Sequence, residues 1–336
     1  MADNEKVPAR GLHAHGEDRP RASLRHYVAM GRPDHWIKHI FIVPGVVLAY
    51  LSQPEDPGLV ARRFLIGMLS ACLAASANYV VNEWLDAASD LHHPSKSARP
   101  AVTRRLSPWI VVAEYALLAT LAVVAAGAVS RLFVFCIAAF LFSALIYNVP
   151  PIRTKDTAYL DVLTEAVNNP IRLTLGWAMV SPTTLPPSSL LIAYWMGGAF
   201  LMAVKRFAEF RAADVAGSLE ALALYRRSFR TYTEPRLLIA AFLCAQMAAF
   251  FLAVFLIKYR IEYILSMPLF AVLFAAYLNV GLKPDSTAQK PEKLLTEKAL
   301  MGVLVLLVGT LALLTFVDVP LLDRLTDPRI LSFELG

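Results

Sequence analysis

A run of acidic and amide side chains follows an apolar segment in the first third of the chain. Asn78, Asn82, Asp86 and Asp90 recur every four residues, and Glu83 lies three residues before Asp86. On a continuing helix a four-residue step turns by about 40°, so the four form one slowly drifting stripe. Carboxylate and amide oxygens are hard ligands, which suit Mg²⁺ rather than zinc or copper. The spacing therefore predicts a Mg²⁺ site at the end of a helix.

Basic side chains follow this first stripe within ten residues. Lys96 and Arg99 lie in the loop after Asp90. Mg²⁺ binds through few carboxylates together with substrate phosphates, and Lys and Arg are the complementary cations for those phosphates. The alternative is a charged, solvated helix end without a site. Polar stripes in or beside a membrane are costly and usually face a cavity, which favours the site.

A second polar stripe lies in the middle of the chain. Asp161, Glu165, Asn168 and Arg172 fall at offsets of 0, 4, 7 and 11 residues, which on one helix lie within about 60° of one another. Pro170 should kink this helix and free carbonyl groups for a neighbour or a ligand. The stripe predicts the second half of the site. The alternative is an Arg172–Glu165 ion pair that only joins two helices.

Two further basic groups are candidates for phosphate contacts. Arg153 and Lys155 lie in the loop before the second stripe, and Lys205 and Arg206 end an apolar segment, with Lys205 placed i, i+4 to Glu209. A lipid phosphate would need a basic subsite apart from a Mg²⁺-bound diphosphate, because two anionic groups at one metal repel each other. We predict that Lys205 and Arg206 form that subsite. The alternative is a loop that is basic only because it lies on the cytoplasmic side.

The composition indicates the elements that must position these residues. Of the 336 residues, 57% are hydrophobic and 17% charged, and the mean hydropathy is +0.53, which is typical of a polytopic membrane protein. A spanning helix needs about 20 mostly apolar residues. We predict an all-α, nine-helix transmembrane bundle in one domain, residues 23–320, between a disordered tail, 1–22, and a short external tail, 321–336. The nine segments are 37–52, 64–82, 108–129, 131–149, 160–180, 187–204, 236–257, 260–282 and 299–317.

The distribution of basic residues predicts the orientation. With the N-terminus in the cytoplasm, 24 of the 32 Lys and Arg residues fall in cytoplasmic segments, as the positive-inside rule requires. The net charge of +6 then indicates an anionic leaflet on that side rather than a nucleic-acid partner. The three cysteines all fall within predicted spans without CxxC spacing, so neither a disulfide framework nor a zinc site is indicated.

Several motifs resemble those of the UbiA-type intramembrane prenyltransferases. NEWLDAASD followed by HPSKSARP, residues 82–100, resembles the first aspartate-rich motif of that superfamily, with Glu83 where the motif usually has Asp. RPDHWIKHIFIVPG, residues 32–45, and KRFAE, residues 205–209, are similar to the decaprenyl-phosphate phosphoribosyltransferase branch. The resemblance covers nearly the whole chain, from Arg32 to the ninth predicted span.

The resemblance implies a bundle around a central cavity that opens laterally to lipid, with Mg²⁺ and a diphosphate held at the cytoplasmic rim. It implies that Asp86, Asp90, Asp161 and Glu165 are catalytic, and that they bind the metal together with Asn82 and Glu83. The substrate-binding candidates are Asn78, Asn82, Lys96, Arg99, Arg153, Lys155, Asn168, Arg172, Lys205 and Arg206. The implied location is a bacterial-type inner membrane, with the active site facing the cytoplasm.

Three functions remain open from the sequence. The first is transfer of 5-phosphoribosyl from phosphoribosyl pyrophosphate to a polyprenyl phosphate such as decaprenyl phosphate, with release of pyrophosphate. The second is transfer of a polyprenyl group from its diphosphate to an aromatic or other small acceptor. The third and most remote is a secondary transporter, which also carries polar stripes inside a bundle. The absence of paired equal halves and the concentration of acid on one side argue against transport.

The charge distribution yields a test of topology. A single accessible cysteine introduced at Ser218 should react with a membrane-impermeant thiol reagent only from the cytoplasmic side, and one at Ser130 only from the external side. Labelling of both positions from the same side of intact cells would contradict the nine-span arrangement.

Overall fold

The described part of the protein is helical. The computed structural model describes residues 19–93, 96–289 and 291–322, and these hold no strand beyond an isolated bridge between Arg21 and Arg105. The predicted tails fall mostly outside these residues. The α-helices are α1 Leu24–Met30, α2 Val43–Ser52, α3 Pro57–Asp90, α4 Pro100–Thr103, α5 Pro108–Gly127, α6 Arg131–Asn148, α7 Leu160–Ala166, α8 Asn168–Val180, α9 Ser188–Val215, α10 Leu219–Tyr225, α11 Glu234–Tyr259, α12 Met267–Leu282 and α13 Lys298–Leu314. The 3-10 segments are Pro33–Ile42, Thr154–Asp156, Arg227–Arg230, Ile261–Ser266, Thr287–Gln289 and Pro291–Thr296.

Seven helical segments in the described residues are long and apolar enough to cross a membrane. The predicted all-helical membrane architecture is therefore confirmed, whereas the count of nine is not. The predicted span 160–180 is divided into α7 and α8 at Val167. Pro170 lies in the first turn of α8, where its missing N–H would have had no helical partner. The last predicted span corresponds to α13, which has 17 residues.

The longest helix, α3, carries the first stripe. It begins after Asp56, whose carboxylate accepts a hydrogen bond from the Leu59 backbone N–H at 2.7 Å, and Pro57 occupies the first helical position. Both features are typical of a stable helix start. Because α3 continues unbroken to Asp90, the stripe from Asn78 to Asp90 lies on one helix, as its four-residue spacing predicts.

Two cores surround the predicted site elements. The first packs α3 against α5, α6 and α8 through small side chains such as Ala74 and Ala122, and the Ser70 hydroxyl donates to the Ala122 carbonyl at 2.7 Å. The second packs α9 against α7, α11 and α12 around Phe200 and Tyr277. Small residues let membrane helices approach closely and gain van der Waals contact. The first core holds α3 against α6 and the second holds α7 against α9, and α6 also contacts α7.

Paired glycines fix α8 against α2. A Cβ at Gly45 would lie 2.0 Å from the Leu173 carbonyl oxygen, and a Cβ at Gly176 would lie 2.1 Å from the Ile42 carbonyl oxygen. Each glycine therefore leaves room for the backbone of the partner helix. Since Arg172 lies one turn before Gly176, this contact also sets where the Arg172 side chain enters the bundle.

The glycine contact yields a stability prediction. Gly45→Ala or Gly176→Ala should destabilise the protein by about 1–3 kcal/mol or more, because neither backbone can move without disturbing the core. Gly302→Ala is the control, since a Cβ there meets nothing within 4 Å. The measurement is thermal unfolding of the detergent-purified proteins. Equal unfolding midpoints for all three variants would contradict the close α2–α8 packing.

Candidate functional site

The two aspartates at the end of α3 are buried and paired with loop cations. Asp86 Oδ1 accepts a hydrogen bond from Arg153 Nη2 at 2.9 Å and another from Lys155 Nζ. Asp90 Oδ2 accepts one from Arg99 Nη1 at 2.6 Å. Asp90 has no solvent exposure. The structure therefore brings together the first stripe and three of the basic residues that the sequence marked as phosphate contacts.

The other members of the first stripe have different surroundings. Asn82 Oδ1 accepts from Lys155 Nζ at 3.3 Å and so lies beside Asp86. Asn78 donates to the Phe140 carbonyl at 3.1 Å and joins α3 to α6. Glu83 is 2% exposed, and its Oε1 accepts from the Ala101 backbone N–H at 3.3 Å. Asn82 thus remains with the site, whereas Asn78 and Glu83 are held by neighbouring backbone.

The second stripe is also buried and hydrogen-bonded. Asp161 is completely buried, and its carboxylate accepts from Arg206 Nε and the Ser228 hydroxyl, both at 3.1 Å, and from the Tyr232 hydroxyl. Glu165 Oε2 accepts from the Tyr147 hydroxyl at 2.7 Å. Asp161 is therefore held on every side, whereas the Glu165 side chain keeps 33% of its surface exposed.

Two polar residues follow Glu165 toward the bundle interior. Asn168 Oδ1 accepts from the Ser143 hydroxyl at 2.9 Å, which joins α8 to α6. The Arg172 guanidinium lies over the Phe140 ring, with its Cζ 5.3 Å from the ring centroid. The Arg172–Glu165 ion pair that the spacing allowed is not found among the described residues, because Glu165 pairs with Arg206 instead.

Arg206 on α9 holds three carboxylates at once. It is 2% exposed. Its Nε reaches Asp161 at 3.1 Å, its Nη2 reaches Glu165 at 3.1 Å, and its Nη1 reaches Glu209 at 2.8 Å. The expected Lys205–Glu209 pair is thus replaced by Arg206–Glu209, and half-buried Lys205 takes part in no ion pair within the described ranges. The donors of Arg206 are occupied by protein carboxylates.

The cap loops add residues that sequence analysis did not single out. Arg226 Nη1 donates to the Tyr147 hydroxyl at 2.8 Å and lies 3.7 Å from Asp161 Oδ2. Lys96 donates to the Tyr225 hydroxyl and lies 4.5 Å from that ring centroid. In the sequence Arg226 is only one of several arginines in a basic loop, and no periodicity distinguishes it.

A cleft lies between the two stripes. Its lining includes the Asp86 carboxylate of the first stripe and the Arg226 guanidinium, which also contacts Asp161 of the second. The remaining lining residues are Ser89, Arg153, Lys155, Asp156 and Tyr225. The cleft therefore combines carboxylate oxygens with three basic side chains, which suits an anionic ligand bound together with a cation.

Burial lowers the pKa of one lysine that lines the cleft and of another that contacts its Tyr225. It lowers the pKa of Lys155 to about 8, although the Asp86 carboxylate lies beside it. Burial, with smaller contributions from Arg226 and Arg99, also lowers the pKa of Lys96 to about 8. Each lysine would be stabilised in its charged form by an arriving phosphate, because an anion at close range favours the cation.

The donor atoms of the first stripe fit Mg²⁺ in their chemistry. Among the described residues no group of three His, Cys, Asp or Glu side chains converges to hold a metal ion, because Lys155, Arg153 and Arg99 take the carboxylate oxygens. Asp90 Oδ1, however, is buried without a hydrogen-bond partner. A buried carboxylate oxygen without a donor is suited to a cation.

Comparison with known proteins places the chain in a family. The model of the UbiA prenyltransferase family matches residues 40–296. The chain belongs to the UbiA prenyltransferase family. This confirms the resemblance seen in the sequence motifs.

Two relatives show how the family match extends to named proteins. The chain is similar to decaprenyl-phosphate phosphoribosyltransferase of Mycolicibacterium smegmatis, with 28% identity over 205 residues, which are 60% of this chain and 61% of that protein. It is also similar to protoheme IX farnesyltransferase of Xanthomonas euvesicatoria, with 28% identity over 188 residues, which are 53% and 59% of the two chains. The chain thus spans about three fifths of the length of these curated relatives.

A solved structure shares the fold. A UbiA homologue from Archaeoglobus fulgidus, bound to DMAPP and Mg²⁺, matches with a TM-score of 0.64 and 18% identity, over 87% of this chain and all of that chain. A UbiA homologue from the same organism has also been solved bound to Cd²⁺. These likenesses confirm a UbiA-type helical fold for this chain.

The Arg206 contacts yield a second stability prediction. Arg206→Ala should destabilise the protein by about 3–5 kcal/mol, because three carboxylates lose their ion pair with Arg206 and the buried Asp161 keeps only Arg226, at 3.7 Å. Lys205→Ala, the adjacent control, should cost less than about 1 kcal/mol, since it breaks no ion pair. Chemical unfolding of the purified proteins in detergent would measure both. Similar losses for the two variants would contradict the proposed role of Arg206.

Proposed function

We propose that the protein is a Mg²⁺-dependent intramembrane transferase that ionises a diphosphate substrate in the cleft between the two stripes. The supporting observation is the cleft itself, in which Asp86 lies with Arg153, Lys155 and Arg226. Such a set can bind a diphosphate and its metal together, because the carboxylates hold the cation and the basic groups hold the phosphates.

Asn82, Asp86 and Asp90 are the proposed ligands of the first motif, and Glu165, with its exposed surface, is the proposed ligand of the second. Bound Mg²⁺ would neutralise charge on the departing diphosphate. Arg153, Lys155 and Arg226 would hold the phosphate oxygens and stabilise the same charge as it develops. The fully buried Asp161 acts by orienting Arg206 and the cap loop, and Glu83 supports the loop at Ala101.

The proposed reaction is transfer of 5-phosphoribosyl from phosphoribosyl pyrophosphate to a polyprenyl phosphate. An oxygen of the lipid phosphate attacks C1 of the ribose as the C1–O bond to pyrophosphate breaks, so pyrophosphate leaves and a phosphodiester forms. The similarity to the mycobacterial decaprenyl-phosphate phosphoribosyltransferase supports this donor and acceptor.

A second candidate reaction uses the same cleft. A polyprenyl diphosphate would lose pyrophosphate to give an allylic cation, which a small acceptor would attack. The similarity to protoheme IX farnesyltransferase supports it, as does the DMAPP bound to the archaeal homologue that shares the fold.

The proposed setting is a bacterial-type inner membrane. The proposed protein is a single transferase domain over residues 23–320. In addition to the seven long apolar segments, α7 and α8 together would form one further span and α13 another. The N-terminus and the cleft would face the cytoplasm, since the segments that form the cleft are those with the excess of basic residues.

The metal ligands yield an activity prediction. Asp86→Asn and Asp90→Asn should each lower turnover by about 10²-fold or more, because each removes charge that holds the cation against the diphosphate. Asp214→Asn, which changes an exposed residue of α9, is the matched control. Pyrophosphate release is measured with Mg²⁺ and either phosphoribosyl pyrophosphate plus decaprenyl phosphate, or a polyprenyl diphosphate plus candidate acceptors.

The choice of substrates decides between the two reactions. Release that depends on phosphoribosyl pyrophosphate supports phosphoribosyl transfer, and release that depends on the polyprenyl diphosphate supports prenyl transfer. Near-normal turnover of both aspartate variants at limiting Mg²⁺ would refute the metal site.

A further inference from the structure

Arg172 differs from the other arginines of the site because, within the described residues, no carboxylate lies at ion-pair distance from it. Arg99, Arg153, Arg206 and Arg226 each lie within 3.7 Å of a carboxylate oxygen. Across the described residues Arg172 forms no ion pair, the Glu165 carboxylate acts on it only from beyond ion-pair distance, and its Nε is buried without a hydrogen-bond partner. A cation within a membrane bundle is costly and marks a functional site unless the protein itself neutralises it.

The surroundings of Arg172 come from four other helical segments. Its guanidinium stacks on Phe140 of α6. Its electrostatic neighbours include His39 of the Pro33–Ile42 segment, Tyr79 of α3 and Tyr194 of α9. His39 is 1% exposed, and its Nδ1 is also buried without a partner. Two nitrogens without partners are thus neighbours among aromatic rings in the interior of the bundle.

This group lies apart from the diphosphate cleft. Arg172 lies in α8, whereas the cleft is lined by α3, by the loop at 153–156 and by the cap at 225–226. The paired glycines hold α8 against α2. An anion bound by Arg172 would therefore not share the ligands of the cleft, and separation weakens the repulsion between two anions.

We infer that Arg172, with His39 beside it, binds the anionic group of the acceptor substrate. The inference rests on the proposed transferase function. In it Arg172, rather than Lys205 and Arg206, forms the second anion subsite, because protein carboxylates already occupy the Arg206 donors. A guanidinium can bind a phosphate or a carboxylate through two parallel hydrogen bonds. The bound anion supplies the ion-pair partner that Arg172 lacks in the described residues, and the tyrosine and phenylalanine rings cover an apolar acceptor body.

The first test compares ligands that differ only in charge. Binding of farnesyl phosphate and farnesol, and of benzoate and benzyl alcohol, is measured on the full-length detergent-purified protein without Mg²⁺ or donor. The wild type should bind one anion more tightly than its alcohol. In Arg172→Gln the ratio of the two affinities should fall by roughly 10- to 100-fold, and in Arg172→Lys it should fall less. Arg62→Gln, a control at the other end of α3, should leave the ratio unchanged.

The outcome identifies the acceptor class. Loss of the preference for farnesyl phosphate supports the inference with a lipid phosphate acceptor, and loss of the preference for benzoate supports it with an aromatic carboxylate. Unchanged preferences for both anions in Arg172→Gln would overturn the inference.

A second test separates binding from a structural role. Without ligand, Arg172→Met should unfold at the same temperature as the wild type or a higher one, because it removes an unpaired buried charge. If Arg172 instead stabilised the fold, its removal would lower the unfolding temperature. A clearly lowered unfolding midpoint of Arg172→Met would therefore overturn the inference.

Kinetics distinguish this inference from the proposed function. If the wild type releases pyrophosphate and Arg172→Gln raises the apparent KM of the acceptor alone, the transferase function and the role of Arg172 are both supported. If Arg172→Gln raises only the KM of the diphosphate donor, the inference fails and the transferase function remains. If the wild type releases no pyrophosphate with either donor, the proposed function fails, and the ligand-binding comparison still decides the role of Arg172.

Discussion

The arrangement of the site depends on one buried guanidinium. Arg206 contacts the carboxylates of Asp161, Glu165 and Glu209. Removing such charges from water is costly, and only nearly complete hydrogen bonding offsets that cost. The rotation of α7 against α9 is therefore restricted to the one that brings these groups together. Asp161 extends the constraint to the cap loop through the Ser228 hydroxyl.

The cations of the cleft explain how acidic residues remain buried before a substrate arrives. Lys155 and Arg153 neutralise Asp86, and Arg99 neutralises Asp90. In the proposed reaction Asp86 and Asp90 would hold Mg²⁺, and the basic side chains that neutralise them here would contact the phosphates instead. Metal and diphosphate together carry both signs of charge, so this exchange leaves no charge in the cleft without a partner.

Close helix packing determines where Arg172 lies in the bundle. In a bilayer the hydrophobic effect does not drive helices together, so association depends on how closely their backbones can approach. Gly45 and Gly176 provide that approach between α2 and α8. The same contact places Arg172 near His39, which precedes α2. A structural contact between small residues thereby positions Arg172, which forms no ion pair within the part of the chain that the structure describes.

The sequence by itself determined what depends on one helix. The composition predicts a helical membrane protein, and four-residue spacing places Asn82, Asp86 and Asp90 on one face, because helical geometry is local. Only the tertiary structure decided which cation meets which carboxylate. The spacing on one helix allowed Arg172 to pair with Glu165, yet Arg206 of α9 takes that place. Helical periodicity fixes angles within a helix, whereas the rotation of one helix against another is set by packing and by the pairing of buried charges.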